Sequence, residues 1–345
     1  MTPREPTDPP PNNMKKAFRV AVVGCGAICG NHINAIIGSG EELVALCDIN
    51  ADASRAAAEK FSLNVNVYTD YEEMLDREKP DSVHICTPHY LHAKMSIAAL
   101  ERGINVLCEK PLCINRTEME EVLRAAKKSS AAFGVCHQNR YEPSNIDLRR
   151  RAGESPVAAF GSVVWKRDAD YYASGDWRGK WLTEGGGVMI NQALHTLDLL
   201  QWIAGMPVSV VAHISNDHLK GEIEVEDTAT ALFETEDGRR LNFFATTSCG
   251  ADFRATLQIR KADRTVLLAD NSHLLENFVP VDLSCTDGAP ATKAVWGAGH
   301  LRLISDFYRC LKNGEHFPID AEEGAKVIRL ILSMYESNGK RTTVY

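Results

Sequence analysis

Apolar positions along the chain fall into two regimes. From Lys15 to about Cys136, short apolar runs alternate with stretches of helical period. Strands are predicted at Arg19–Val23, Leu43–Cys47, Ser82–Cys86, Asn105–Cys108 and Phe133–Cys136, with a short one near Val65–Tyr68. Between them, helices are predicted at Asn31–Ile37, Ala51–Phe61, Tyr71–Leu75, Leu91–Glu101 and Arg116–Ser129. Five of the six residues Phe18–Val23 are apolar and three are valine, as for a strand covered on both faces. This alternation predicts an α/β unit with a doubly wound parallel sheet, whose ligands bind beyond the carboxyl ends of its strands. Past Glu142 the pattern changes. A helix starts at Pro143, and strand-like segments follow at Val157–Lys166, Val208–Ile214, Thr228–Phe233, Leu241–Thr247, Ala255–Ile259 and Thr265–Leu268. Hairpin signals such as Glu236-Asp237-Gly238 predict an antiparallel or mixed sheet, closed by helices near His300–Leu311 and Ala321–Ser337. The expected division is an extension without fixed structure over 1–14, a first domain over 15–141 and a second over 142–345.

The first strand runs into Gly24-Cys25-Gly26-Ala27-Ile28-Cys29-Gly30, a G-x-G-x-x-G turn that opens a helix. In a Rossmann fold Gly24 allows the tight turn, Gly26 lets backbone approach a pyrophosphate, and Gly30 lets helix and strand pack closely. Ala27 and Ile28 lead into the helix, whose first free N–H groups favour phosphate. Asp48 ends the second strand, 24 positions after Gly24. There it would accept hydrogen bonds from ribose hydroxyls and repel a 2′-phosphate, favouring NAD over NADP. The alternative makes Asp48 a helix cap, a task open also to Asn50 and Asp52.

Two further strand ends face the same edge. Thr87-Pro88-His89-Tyr90-Leu91-His92 follows one, and its turn is placed to touch the cofactor. Glu109-Lys110-Pro111 follows the other, and the proline keeps Lys110 extended; a cis peptide is compatible with it. The competing reading of Lys110 is a surface lysine before a turn. In Gly185–Leu200, read as one helix, Asn191, His195 and Asp198 lie on one face while almost every other direction is apolar. A buried polar stripe needs partners, either a structural network or a ligand; the glycine triplet Gly185–Gly187 favours close backbone approach to a ligand.

Composition narrows the choices. The chain has 345 residues, enough for two domains, and a net charge of −8 argues against nucleic acid. Ten cysteines show no C-x-x-C pair, and eleven histidines show no metal-ligand spacing, so no metal is expected. With no signal-peptide pattern and no apolar run of about 18 residues, reduced thiols, no membrane span and a cytoplasmic location are expected.

Taken together, Gly24–Gly30, Glu109-Lys110-Pro111, Gly185–Asp198 and the closing Asp306-Phe307 and Met334-Tyr335-Glu336-Ser337 resemble the glucose-fructose oxidoreductase / inositol dehydrogenase / MocA (Gfo/Idh/MocA) family, from about Lys15 to Tyr345. The resemblance implies an NAD(P)-dependent oxidoreductase acting on a hydroxyl or ketone carbon of a sugar, cyclitol or derivative. It also implies a C-terminal α/β domain whose large, mainly antiparallel open-faced sheet makes a homodimer or homotetramer. Lys110 matches the family's lysine and His195 its catalytic histidine; Asn191 stands where many members have aspartate. His195 would be the base and Lys110 would stabilise the substrate oxygen, or the two roles exchange. Cofactor contacts are expected from Gly24, Gly26, Ala27, Ile28, Gly30, Asp48, Thr87, Pro88, His89, His92, Glu109, Lys110 and Gln138. Substrate contacts are expected from Lys110, Arg140, Tyr172, Trp177, Arg178, Asn191 and His195, with aromatic packing at an interface as the alternative for the Tyr171–Trp181 loop. His300 is placed near the pocket mouth. Two other activities fit the same features: an NAD-dependent glycosidase and a non-catalytic dinucleotide-sensing regulator.

Overall fold

The computed structural model describes residues 16–153, 156–283 and 298–345. The expected extension over 1–14 lies outside them. Six parallel strands form the first sheet: β1 Arg19–Val23, β2 Glu42–Cys47, β3 Asn66–Tyr68, β4 Ser82–Ile85, β5 Asn105–Cys108 and β6 Phe133–Val135, in the order β3-β2-β1-β4-β5-β6. Helices α1 Cys29–Gly38, α2 Ala51–Lys60, α3 Tyr71–Glu78, α4 His92–Glu101 and α5 Arg116–Lys128 cross between them. Val20, Ala21 and Val22 of β1 are fully buried, as their unbroken apolar run requires. The order reverses between β1 and β4, so the ends of β1, β4 and β5 open onto one crevice.

The second sheet has nine strands: β7 Pro156–Val164, β8 Pro207–Ser215, β9 Thr228–Thr235, β10 Arg240–Thr246, β11 Thr256–Lys261, β12 Val266–Ala269, β13 Leu274–Glu276, β14 Val279–Pro280 and β15 Thr342–Thr343. Its pairs are antiparallel except β7 with β10, which are parallel. The helices after β6 are α6 Pro143–Ala152, α7 Ala169–Ala173, α8 Val188–Asn191, α9 Leu194–Ala204, α10 Gly299–Asn313 and α11 Ala321–Ser337. One sheet face packs on α6, α9 and α11. Along β9, Ala229, Ala231 and Phe233 are buried while Thr230 and Leu232 are exposed, so the other face is open.

The chain's end returns to its beginning. Helix α10 packs on α1, and Val135 N–H donates to Ile319 O at 2.9 Å. Among the described residues no helix is long and apolar enough to cross a membrane.

The single helix expected over Gly185–Leu200 is broken. Between α8 and α9 the Ala193 N–H turns back to Val188 O at 2.8 Å. At the start of α8, the buried Glu226 carboxylate accepts from Gly187 N (2.9 Å) and Met189 N (3.0 Å). The glycine triplet lets three neighbours pack directly on its backbone. A Cβ at Gly185 would lie 2.4 Å from Ile114 Cβ, at Gly186 2.0 Å from Tyr335 Oη, and at Gly187 2.0 Å from Glu226 O.

Candidate active site

The glycine turn sits where β1 ends. Gly24 has φ +87°, and a Cβ there would meet Cys86 O at 2.5 Å, so the turn tolerates only glycine. A Cβ at Gly26 would meet nothing within 4 Å, which leaves its backbone open on the crevice side. At Gly30 a Cβ would meet Phe61 Cζ at 3.2 Å, so this glycine fits α1 against the end of α2 rather than against β1. No side chain caps α1 at Ile28; the Cys29 and Asn31 N–H groups turn back to Gly26 O (3.3 Å) and Ile28 O (3.0 Å), and the Gly30 N–H between them is left for an anion. Asp48 accepts Cys25 N–H at 2.8 Å and Asn50 N–H at 2.9 Å, while Asn50 caps α2; the cap reading of Asp48 therefore falls. A glycine turn, an open helix start and an acid at the next strand end are brought together, and they fit a dinucleotide.

Thr87 N lies 2.8 Å from the same hypothetical Gly24 Cβ, which places Thr87 and Pro88 against the glycine turn. His92, expected at the cofactor, lies between the two strand-end turns, with Nδ1 2.7 Å from Pro111 O and Nε2 2.8 Å from Thr87 O, and a neutral ring donates to one of the two. His89 is likewise buried, with Nδ1 2.9 Å from Glu184 O and its ring 4.6 Å from Trp177. Burial first, then the Lys110 ammonium, hold His89 neutral.

Lys110 follows β5 through a cis Lys110–Pro111 peptide and donates from Nζ to Asn191 O at 3.0 Å. Burial lowers its proton affinity, with Glu109 opposing. His195, in the first turn of α9, lies 3.2 Å by Nε2 from Gln138 Nε2. With that amide donating, the ring proton sits on Nδ1. Burial, then Lys110 and His137, push His195 well below its ordinary pKa. The lysine and histidine thus share one electrostatic neighbourhood. Around them His137 Nδ1 and Nε2, Gln138 Oε1, Gln192 Oε1 and His195 Nδ1 are buried without hydrogen-bond partners among the described residues. A purely structural network pairs such atoms, whereas a polar ligand could engage this set.

Beside them Tyr171 Oη accepts from Arg178 Nη1 (2.8 Å), Gln192 Nε2 (3.1 Å) and Asn191 Nδ2 (3.4 Å). Arg178 also lies over the Tyr171 and Trp177 rings. Tyr172, expected at the substrate, packs into a small core with Leu219, Ile223 and Val225, and Tyr171 lies against that core. Arg140, also expected at the substrate, is locked away. Its guanidinium makes two bonds to Asp198 (2.7 and 2.6 Å) and one to Glu323 (2.8 Å). The same pairing removes Asp198 from any shared stripe with Asn191 and His195.

Glu109 anchors a buried chain that the sequence did not announce. Its Oε1 lies 2.9 Å from His32 Nε2 and 3.1 Å from His300 Nε2; His32 Nδ1 lies 2.8 Å from His84 Nδ1, and His84 Nε2 2.8 Å from Tyr308 Oη. Burial alone would raise the Glu109 pKa, but His300 and His32 hold it well below the usual range. The carboxylate then fixes every proton: His32 and His300 donate from Nε2, His84 donates from Nδ1 to His32, and Tyr308 donates to His84. His300 therefore sits inside the fold, 4% exposed, not at a pocket mouth. His32, Glu109 and Cys136 bring metal-type donor atoms within 4.8 Å of one another, and the His32–Glu109 contact is itself a hydrogen bond. A cavity of about 1020 Å³ opens elsewhere, lined by Arg149, Trp202, Arg239 and Lys326 among others, and neither Lys110 nor His195 borders it.

Two family matches cover most of the chain: "Oxidoreductase family, NAD-binding Rossmann fold" over residues 18–137, and "Oxidoreductase family, C-terminal alpha/beta domain" over 162–345. The chain belongs to the Gfo/Idh/MocA family. It is an oxidoreductase that uses a nicotinamide dinucleotide. Among relatives of this family, the D-glucoside 3-dehydrogenase of Escherichia coli (strain K12) is 26% identical, over 95% of this chain and 97% of that protein. The D-apiose dehydrogenase of Paraburkholderia graminis is 24% identical, over 95% and 90%. The WlbA dehydrogenase from Bordetella pertussis, solved in complex with NADH and UDP-GlcNAcA, superposes with a TM-score of 0.82 at 26% identity, over 96% of this chain and 99% of that one. Levoglucosan dehydrogenase with NADH and levoglucosan shares the fold, with a TM-score of 0.84 at 20% identity over 95% and 100%.

Contacts found only in the structure include Glu184, Gln192 and His137, whereas Tyr171 belongs to the aromatic loop the sequence already placed at the substrate. Glu184 carried one signal in sequence, an acid set directly before a glycine triplet in an apolar stretch.

Proposed function

We propose that the protein moves a hydride between NAD and the hydroxyl- or ketone-bearing carbon of a sugar, cyclitol or sugar derivative. One observation carries this reading: Lys110 and His195, from the end of β5 and the first turn of α9, lie in one buried neighbourhood ringed by unpaired polar atoms. The dehydrogenases of D-glucosides and D-apiose among its relatives support the substrate class. When bound, the nicotinamide supplies the acceptor or donor of the hydride. Gly24, Gly26 and the start of α1 would hold its pyrophosphate, and Asp48 its ribose. A carboxylate at Asp48 disfavours a 2′-phosphate, so NAD is favoured over NADP.

The protein's own task is the proton. Burial lowers the proton affinity of both Lys110 and His195, so the unprotonated form of either can accept the hydroxyl proton while the other contacts the same oxygen. In this reading residues 15–141 hold the dinucleotide and 142–345 hold the substrate. The open sheet face supports pairing with a second copy, since Phe160 (40% exposed) and Leu232 (37%) flank Asn242 on adjoining strands.

The test is absorbance at 340 nm with NAD and a panel of levoglucosan, myo-inositol, D-apiose and methyl D-glucosides, using wild type, Lys110→Ala and His195→Ala. Each variant should lose roughly 100- to 10,000-fold in turnover while binding NADH normally. Wild-type rates in both variants would overturn the site.

A further inference from the structure

Glu184 has no exposed surface, yet it carries a carboxylate into the neighbourhood of Lys110. Its Oε2 accepts Gly179 N–H at 2.5 Å, and its Oε1 accepts Asn191 Nδ2 at 2.5 Å. Asn191 in turn receives Lys110 Nζ on its backbone oxygen at 3.0 Å. A carboxylate and an ammonium are thus attached to two ends of one uncharged residue. A buried carboxylate without cations nearby is costly, and the cations that face this one are Arg178 and Lys110. Arg178 already donates to Tyr171 and lies over two rings. Glu109, the other acid near Lys110, is engaged by His32 and His300. The remaining titratable groups facing the pair are His89 and His92 from the turn after β4, Tyr171 and Tyr172 from α7, His195 from α9 and Tyr335 from α11.

We propose that Glu184 is the positioning residue of this site: acting through Asn191, it holds the Lys110 amine in place and supplies the carboxylate that stabilises its ammonium form. The inference rests on the reading of Lys110 as a proton-handling group, and it can fail separately. Where a charge sits at one end of a hydrogen bond, moving it to the other end should preserve its effect. Glu184→Gln removes the charge, and Asn191→Asp in the same chain restores it one hydrogen bond away.

The experiment reads Lys110 directly. The full-length protein is trace-acetylated with acetic anhydride at a series of pH values, and labelling of the Lys110 peptide is followed by mass spectrometry. Opposite charges at close range shift an amine by about 1 unit or more. Glu184→Gln should therefore lower the Lys110 midpoint by about 1 unit, and the Glu184→Gln, Asn191→Asp double variant should return it toward wild type. Asn191→Asp alone should raise it, which keeps the proposal testable if Glu184→Gln does not fold. An unmoved midpoint in Glu184→Gln that binds NADH normally, or in Asn191→Asp, overturns the proposal. Lys110→Ala and His195→Ala with wild-type turnover would instead overturn the dehydrogenase site itself.

Discussion

Replacing Asp198 by asparagine tests whether Arg140 belongs to the scaffold or to the substrate. Both side chains are almost fully buried, and the guanidinium meets Asp198 through two bonds of 2.7 and 2.6 Å. Burial by itself would raise the Asp198 pKa; Arg140, with His137, overcomes this and holds it at about 2. Against an unfolded aspartate near 3.9, that difference amounts to about 2.5 kcal/mol of stability at neutral pH. Asparagine also leaves the buried guanidinium with only Glu323, at 2.8 Å, as a carboxylate partner. Breaking a buried pair on one side costs about 3–5 kcal/mol, and the surviving Glu323 contact sets the expectation at about 3 kcal/mol. The measurement is urea unfolding of wild type and Asp198→Asn, followed by tryptophan fluorescence. The sign with pH is fixed, because the folded pKa lies below the unfolded one. The contribution is complete above about pH 4 and is lost as pH falls through about 2, so the two proteins should converge in that window. A variant within about 0.5 kcal/mol of wild type at neutral pH, or one of unchanged stability with a raised KM, would refute the scaffold assignment.

Two contrasting glycines separate fold from cofactor. Gly24→Ala forces a side chain onto φ +87° and 2.5 Å from Cys86 O, so both thermal stability and NADH affinity should drop, the latter by at least about tenfold. Gly26→Ala meets nothing in the protein, so it should melt like wild type yet bind NADH weakly; unchanged NADH titration would remove Gly26 from the pyrophosphate site. Glu226 should make stability fall as pH rises. Burial raises its pKa to about 7 despite bonds from Met189 N, Gly187 N and Tyr335 Oη, so the folded protein holds the proton longer than the unfolded one. Between about pH 4.5 and about 7 it should cost about 3 kcal/mol, and the slope should vanish in urea titrations of Glu226→Gln.

Local pattern carried the first sheet well. A valine-rich strand, glycines at fixed offsets and an acid at the next strand end specify one βαβ unit within one stretch of chain, and β1, α6 and α11 begin within a residue or two of where apolar period and a leading proline or aspartate place them. The parts that were misread all depend on partners distant in sequence. Arg140 looks like an anion ligand until Asp198, 58 residues on, neutralises it. One helix over Gly185–Leu200 satisfies its own periodicity, but Glu226 captures the backbone at its start and the chain rewinds after Gln192. Period cannot choose between Tyr171 and Tyr172, because adjacent residues at the end of a short helix differ only in what folds against them. The edge strands β14 and β15, and β13 beside the former, span two or three residues each, too short for alternation to register.

The histidines bear on how the proposed site would handle its proton. His89, His92 and His137 surround Lys110 and His195, and His32 and His84 lie behind Glu109; burial lowers the proton affinity of all five. Near neutral pH such rings are neutral, so they neither repel a cationic ligand nor compete for a proton released by substrate. Glu109 is prevented from taking that proton by the N–H groups of His32 and His300, which stabilise its ionised form. In the proposed site the amine of Lys110 is pulled both ways, raised by Glu109 and Glu184 and lowered by burial and Arg178. A dehydrogenase that runs in both directions needs its proton acceptor to be a donor on return, and opposing influences on one amine suit that exchange.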